Sequence, residues 1–208
     1  MVEIFNTQMM GLDGAIRGMR NPYDSWLKSD SKYIDGKFHF GKKDIDLCLR
    51  LIKAGTEHRK FLRMIHVQVD VKAPLYWWKQ FDTYKVATVA NSQSTMHTIT
   101  RNPFRYEDFS VDGGWRYAVE GVVDTLNALR VQYLKMKDPI IWRTIIQLLP
   151  CSYNQMRTVD LNYETLMTIY RQRKNHKLSE WQQLCRWIED LTNMKEFLNV
   201  YEETEKDN

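Results

Sequence analysis

Two stretches of this 208-residue chain combine side chains able to hold a polar or anionic ligand. The first is Asn91-Ser92-Gln93-Ser94-Thr95-Met96-His97, whose short amides and hydroxyls both donate and accept hydrogen bonds. The second, residues 162–177, carries Asn162, Thr165 and the basic cluster Arg171, Arg173, Lys174 and Lys177. Arg173 follows Asn162 by eleven residues, about three helical turns, so a helix here would turn both toward one extended ligand. Each stretch is also readable as a solvated polar face, as is the cluster Arg59, Lys60 and Arg63. Other chemistries find little support. The five histidines show no HxxxH spacing and no neighbouring cysteine, which argues against a metal centre. His66 falls on the polar face of an alternating segment. There is no GxSxG, P-loop or GxGxxG, and Gly113-Gly114 signals only a turn.

The elements that must position these residues follow from periodicity. Residues 2–5 read as a short strand, and a mixed segment around 15–19 is broken by Asn21-Pro22. Residues 28–42 are polar and read as a loop. Ile45, Leu47, Leu51 and Ile52 predict a helix over 44–54, closed by Gly55 as a C-terminal cap. Residues 64–71, M-I-H-V-Q-V-D-V, alternate as a half-buried strand, and Pro74 can open the aromatic helix that follows. Residues 88–101 lack a core pattern and read as a surface loop or a polar site lining. Val122, Leu126, Leu129 and Tyr133 mark a helix that Asp138-Pro139 ends. Another follows over 140–149, and a third is marked by Leu161, Leu166, Ile169 and Tyr170. Ser179 and Gln182 have capping-box spacing ahead of the stripe Trp181, Leu184, Ile188 and Leu191. A strand-bearing first half and a helical second half predict an α+β fold in a single domain over 1–208, with a frayed tail at 202–208.

Composition bounds the function. Hydrophobic residues make up 43%, charged residues 27% and aromatics 12%, a globular balance that excludes disorder. Three cysteines without a CxxC pair exclude a disulfide framework and suit a reducing, cytoplasmic setting. No apolar run is long enough for a membrane helix, and no signal peptide is expected. A formal charge of +4 permits a nucleotide ligand but falls short of a nucleic-acid footprint, so no nucleic acid is expected as partner.

The order of segments resembles the flavin-dependent thymidylate synthases. That family has a strand ending in a K-A-P-like step, a helix ending in R-Q-x-x-R-H-R, and then N-E-x-S-x-R-Y. Here residues 69–74 read V-D-V-K-A-P, Lys79-Gln80 match the R-Q pair, and Asn91, Ser92 and Ser94 match N-E-x-S after one inserted residue. The family's L-P and N-x-R-S-L correspond to Leu149-Pro150 and Asn162-Tyr163-Glu164-Thr165-Leu166. Arg173 sits where the family has an arginine before its last large helix, whose start resembles Glu180-Trp181-Gln182. The likeness covers most of residues 55–200.

The resemblance implies an α+β subunit with a mixed sheet packed against several helices, assembling as a homotetramer with sites at subunit interfaces. It implies a pyrimidine nucleotide such as dUMP as substrate, FAD as cofactor, and NADPH and methylenetetrahydrofolate as co-substrates of a C5 methyltransferase. Carried over by position, Gln80, Ser94 and Arg173 would contact the nucleotide. Asn91 and Asn162 would lie by the flavin, with His58 near its phosphates and Tyr84 and Lys85 in place of part of the family's R-H-R. No catalytic residue is assigned, because positioning carries the reaction. Several cations of the pattern are replaced: Thr83-Tyr84-Lys85 stand for R-H-R, Met96-His97 for R-Y, Ile146 for an arginine (with Arg143 close by), and Glu164 inverts a charge. Each charged hydrogen bond removed costs roughly 1.5–3 kcal/mol. Stacking on Tyr84, Trp77 or Trp78 could compensate, and these rings equally suit core packing. Two alternatives therefore stand beside the enzyme: a non-catalytic nucleotide-binding relative that has lost the flavin site, and a protein-interaction scaffold.

Overall fold

The computed structural model describes residues 1–114 and 116–204. The elements run β1 (Glu3–Met10), α1 (Leu12–Arg20), β2 (Lys32–Ile34), β3 (Lys37–His39), α2 (Lys42–Lys53), β4 (His66–Pro74), α3 (Leu75–Phe81), β5 (Thr88–Ser92), α4 (Thr95–Thr98), α5 (Arg116–Met136), α6 (Pro139–Leu148), β6 (Asn154–Asn162), α7 (Tyr163–Arg173), α8 (Ser179–Glu189) and α9 (Met194–Thr204). The fold is α+β. One sheet has the order β1-β4-β6-β5, and β2 and β3 form a separate antiparallel hairpin. The chain divides into two compact units.

The first unit comprises Met1–Phe5, Asp70–Thr83 and Ala90–Thr158. Its core gathers Ile99, Phe104, Phe109, Val123, Leu126 and Ile145, largely from α5 and α6 and the segment before them. On α3, Trp77 stacks on Phe81 at 5.1 Å and meets Trp78 edge-on, and all three rings are buried. Arg157 caps this cluster, its guanidinium 4.3 Å from the Trp78 ring and 2.6 Å from Asp82.

The second unit comprises Asn6–Val69, Tyr84–Val89 and Val159–Asn208. Its core is built by α2, α7, α8 and α9 around Ile52, Phe61, Leu62, Leu166, Ile169, Trp181, Ile188 and Phe197. Gly11 joins β1 to α1 at φ 82, and a Cβ there would meet the Met64 carbonyl oxygen at 2.2 Å.

The alternation of β4 is as its sequence predicts, with Val67, Val69, Val71 and Ala73 buried and polar residues between them. Gly55 (φ 99) follows α2 as its cap. Several expectations need correction. Residues 28–42 are not simply a loop: Asp35-Gly36, both at positive φ, turn the β2–β3 hairpin. Residues 88–101 contain β5 and α4. Residues before Asn162 form β6 rather than the start of a helix. Ser179 lies inside α8, and the capping box does not form, because Leu178 occupies the cap position and Gln182 Nε2 donates to the His176 carbonyl instead. Residues 202–204 are helical, as the last turn of α9, and 205–208 lie outside the described residues. No helix among the described residues is long and apolar enough to cross a membrane.

Candidate functional site

The second unit brings two of the sequence candidates into contact. α7 ends in Arg173, whose Nε donates to the Tyr84 hydroxyl at 2.8 Å. The Tyr84 hydroxyl donates in turn to Gln172 Oε1 at 2.9 Å. The guanidinium lies 4.6 Å from the centroid of Trp181, a fully buried ring at the start of α8, and 5.6 Å from that of Tyr84. Tyr84 and Trp181 meet edge-on at 6.0 Å. Two aromatic faces and a hydroxyl thus fix a planar cation in one orientation. Among the described residues no carboxylate pairs with Arg173. Its cationic neighbours are otherwise engaged, Lys174 with Glu202 and Arg171 over the Tyr201 ring. His176 packs on Trp181 at 6.2 Å, and its Nδ1 accepts from the Leu178 N–H. Desolvation, then the Arg173 charge, hold its pKa below 6.5.

Asn162 is buried and caps α7, its Oδ1 accepting from the Thr165 N–H at 3.0 Å. The carboxamide nitrogen has no protein partner among the described residues. Glu164, two residues on, binds Arg59 Nε at 2.9 Å, and Arg59 also lies over the Tyr201 ring at 4.7 Å. The other carboxylate oxygen of Glu164 is buried without a hydrogen-bond partner. His58 is exposed and, with Lys60, lines a cleft of about 530 Å³ walled by Met19, Leu47, Leu51, Phe61 and Met64. Lys85 is exposed.

The first unit holds the other candidates. Gln80 is half-buried near the end of α3. Asn91 is exposed on β5, and Ser94 is exposed and caps α4, its hydroxyl accepting from the His97 N–H. Sequence reasoning missed two features. Arg59 is 5% exposed, not part of a solvated run, and no local pattern marks its partner Glu164, 105 residues away. Trp181 reads as a core-stripe residue, and it is also the platform for Arg173; an aromatic eight residues after a helix-ending arginine was the available signal. Among the described residues no group of three or more His, Cys, Asp or Glu could hold a metal ion.

No family model matches the sequence, and no curated protein matches it either. Solved structures do. Thymidylate synthase X from Helicobacter pylori, crystallised with FAD and dUMP, superposes with a TM-score of 0.74 over 96% of this chain and 99% of that one, at 18% identity. A second structure described as the flavin-dependent thymidylate synthase of that organism, complexed with FAD and dUMP, gives 0.71 over 97% and 99% at 19% identity. The fold is that of the flavin-dependent thymidylate synthases. A UMP/dUMP methylase from Streptomyces cacaoi, bound with 5-bromo-dUMP, shares it at a TM-score of 0.60, with 14% identity over 100% of this chain and 94% of that one. Glu164, which the resemblance aligns with an arginine, faces Arg59 in this chain.

Proposed function

We propose that the protein binds a pyrimidine nucleoside monophosphate of the dUMP type and, with FAD as cofactor, modifies C5 of its base. The observation that carries this reading is Arg173, a guanidinium without a carboxylate partner among the described residues, fixed by Tyr84 and Trp181 for an anionic group. Structures of the same fold crystallised with dUMP or 5-bromo-dUMP support the choice of nucleotide. Gln80 and Ser94 are the further nucleotide contacts that the family resemblance implies. The chemistry of the second unit suits FAD: Asn162 retains an amide donor without a protein partner among the described residues, and the His58 cleft offers apolar walls beside basic groups. His58 and Lys85 would meet the FAD phosphates, while Tyr84, Asn91 and Asn162 would orient its ring. When bound, FAD supplies hydride chemistry, with NADPH as reductant and methylenetetrahydrofolate as carbon donor. A cytoplasmic homotetramer belongs to the same proposal.

Calorimetry with dUMP tests the reading. Arg173→Ala should weaken binding about ten- to a hundredfold, the equivalent of one charged hydrogen bond. Unchanged affinity would sink it. Soaking with FAD, desalting and recording absorbance near ~450 nm tests the cofactor separately. The buried Arg59–Glu164 pair favours a second reading, a non-catalytic nucleotide-binding relative, which dUMP binding without retained flavin would support.

A further inference from the structure

A further cavity lies in the second unit, against α1. It measures about 280 Å³ and is lined by Arg17 and Arg20 of α1, Trp26 of the following loop, and Lys32, Tyr33 and Phe38 of the hairpin. Its cationic side chains outnumber its one carboxylate, Asp13. Neither Arg17 nor Lys32 has a carboxylate partner among the described residues.

The walls are fixed before any ligand arrives. Trp26 donates its indole N–H to Asn21 Oδ1 at 2.8 Å, yet the residue remains 48% exposed. Tyr33 packs edge-on against Phe38 at 5.3 Å and remains 60% exposed. Behind them stands a buried charge network. Asp44 accepts from Arg20 Nε at 2.6 Å, from the Ser29 hydroxyl at 2.7 Å, and from the Ser31 hydroxyl at 2.6 Å. This network holds the loop carrying Trp26 against α1. Arg20 is 4% exposed, and of the five donors of a guanidinium its geometry commits three, two on Asp44 and one on the Ser25 carbonyl. Each of its three guanidinium nitrogens thus has a partner, and the side chain is held rigidly where it lines the cavity.

We propose that this cavity is a second ligand site, for a planar aromatic ring bearing one anionic group. The ring stacks on Trp26 and Tyr33, and the anion takes Arg17 and Lys32, with the Arg20 guanidinium adding positive charge to the wall. The cavity sits at the lower end of the small-molecule range, which fits a single substituted ring or mononucleotide and excludes a dinucleotide.

The test uses the full-length chain carrying Arg173→Ala, which weakens the nucleotide site proposed above, so that affinity lost on Trp26→Ala and Lys32→Ala is read from this cavity and failure of either reading is read separately. Ligand-observed NMR and calorimetry are run with UMP, AMP and 4-hydroxybenzoate, with uridine and glycerol phosphate as controls lacking the charge or the ring. At least one aromatic anion binds at or below about 1 mM, and both controls bind at least tenfold more weakly. Preference for the nucleotides assigns a phosphate ligand, and preference for the benzoate a carboxylate. Trp26→Ala and Lys32→Ala, both exposed and compatible with folding, each weaken binding at least tenfold. No binding by any of the three, binding of uridine or glycerol phosphate as tight as UMP, or affinity indifferent to both substitutions overturns the proposal.

Discussion

Arg173 shows how a weak sequence signal acquires chemical meaning from its surroundings. In the sequence it is one cation among four, and a solvated face is a fair reading of all of them. In the fold the neighbours divide: Lys174 pairs with Glu202 and Arg171 lies over Tyr201, while Arg173 alone is clamped between Tyr84 and Trp181. The clamp is partly legible in the sequence, since Tyr84 reads there as a possible stacking ring. Trp181 does not, because a helix stripe does not reveal which edge of a buried ring another element touches. His176 reports on this microenvironment. Its Nδ1 is occupied as an acceptor, and both burial and the Arg173 charge disfavour its protonated form. An NMR titration should therefore give His176 a midpoint below 6.5. In Arg173→Ala the midpoint should move up toward 6.5 without reaching it, because the larger contribution, desolvation, remains. An unmoved midpoint would mean that the guanidinium does not face His176 in solution.

Among the elements, those with a strong period were legible and those shaped by distant partners were not. β4 alternates cleanly, and the burial follows it residue by residue. β6 does not: its first part, Asn154 to Thr158, is polar apart from Met156, and its residues find partners such as Asp70, Asp82 and Trp78 far away in the sequence. Asp35-Gly36 is a strong turn signal for a hairpin that the surrounding polarity masked. The hairpin is anchored by the Arg20–Asp44 network, which also orders Asp30 and Ser31 through their backbone N–H groups. Asp44→Ala would strand a buried guanidinium, and a cost of about 3–5 kcal/mol in chemical denaturation is expected. Gly11 makes a second test of an element junction. Gly11→Ala meets both a left-handed backbone and the Met64 carbonyl, so it should destabilise by more than about 1 kcal/mol. Gly36→Ala has open space around its Cβ and meets only the positive φ, so it should cost less.

At the scale of the whole molecule, the titrating groups with perturbed pKa values combine into a definite pH profile. Burial alone would raise the Asp44 carboxyl, but hydrogen bonds from Ser31, Ser29 and Arg20 outweigh it and hold it below 3.8. Asp160 is likewise held below 3.8, burial being outweighed by hydrogen bonds from His66 and Gln68. A carboxylate or histidine whose folded pKa is depressed contributes stability that is complete above the unfolded value and lost as pH falls through the folded one. His176 therefore begins to withdraw stability below 6.5, and Asp44 and Asp160 follow below 3.8. On the alkaline side the order reverses. Burial raises the Cys48 and Cys185 thiols above 9.0, Cys185 to about 12, and raises the Tyr153, Tyr163 and Tyr170 phenols above 10.0. The unfolded chain loses those protons first, so stability declines once pH passes 9.0. Urea midpoints measured across pH should accordingly form a plateau from about 6.5 to 9.0 with losses on both sides. Cys185→Ser should soften the alkaline loss and leave the acid limb unchanged. Cys185 packs in the core of the second unit and not at its surface, so an alkaline limb indifferent to that substitution would show that the thiol is more open to water than its position in α8 implies.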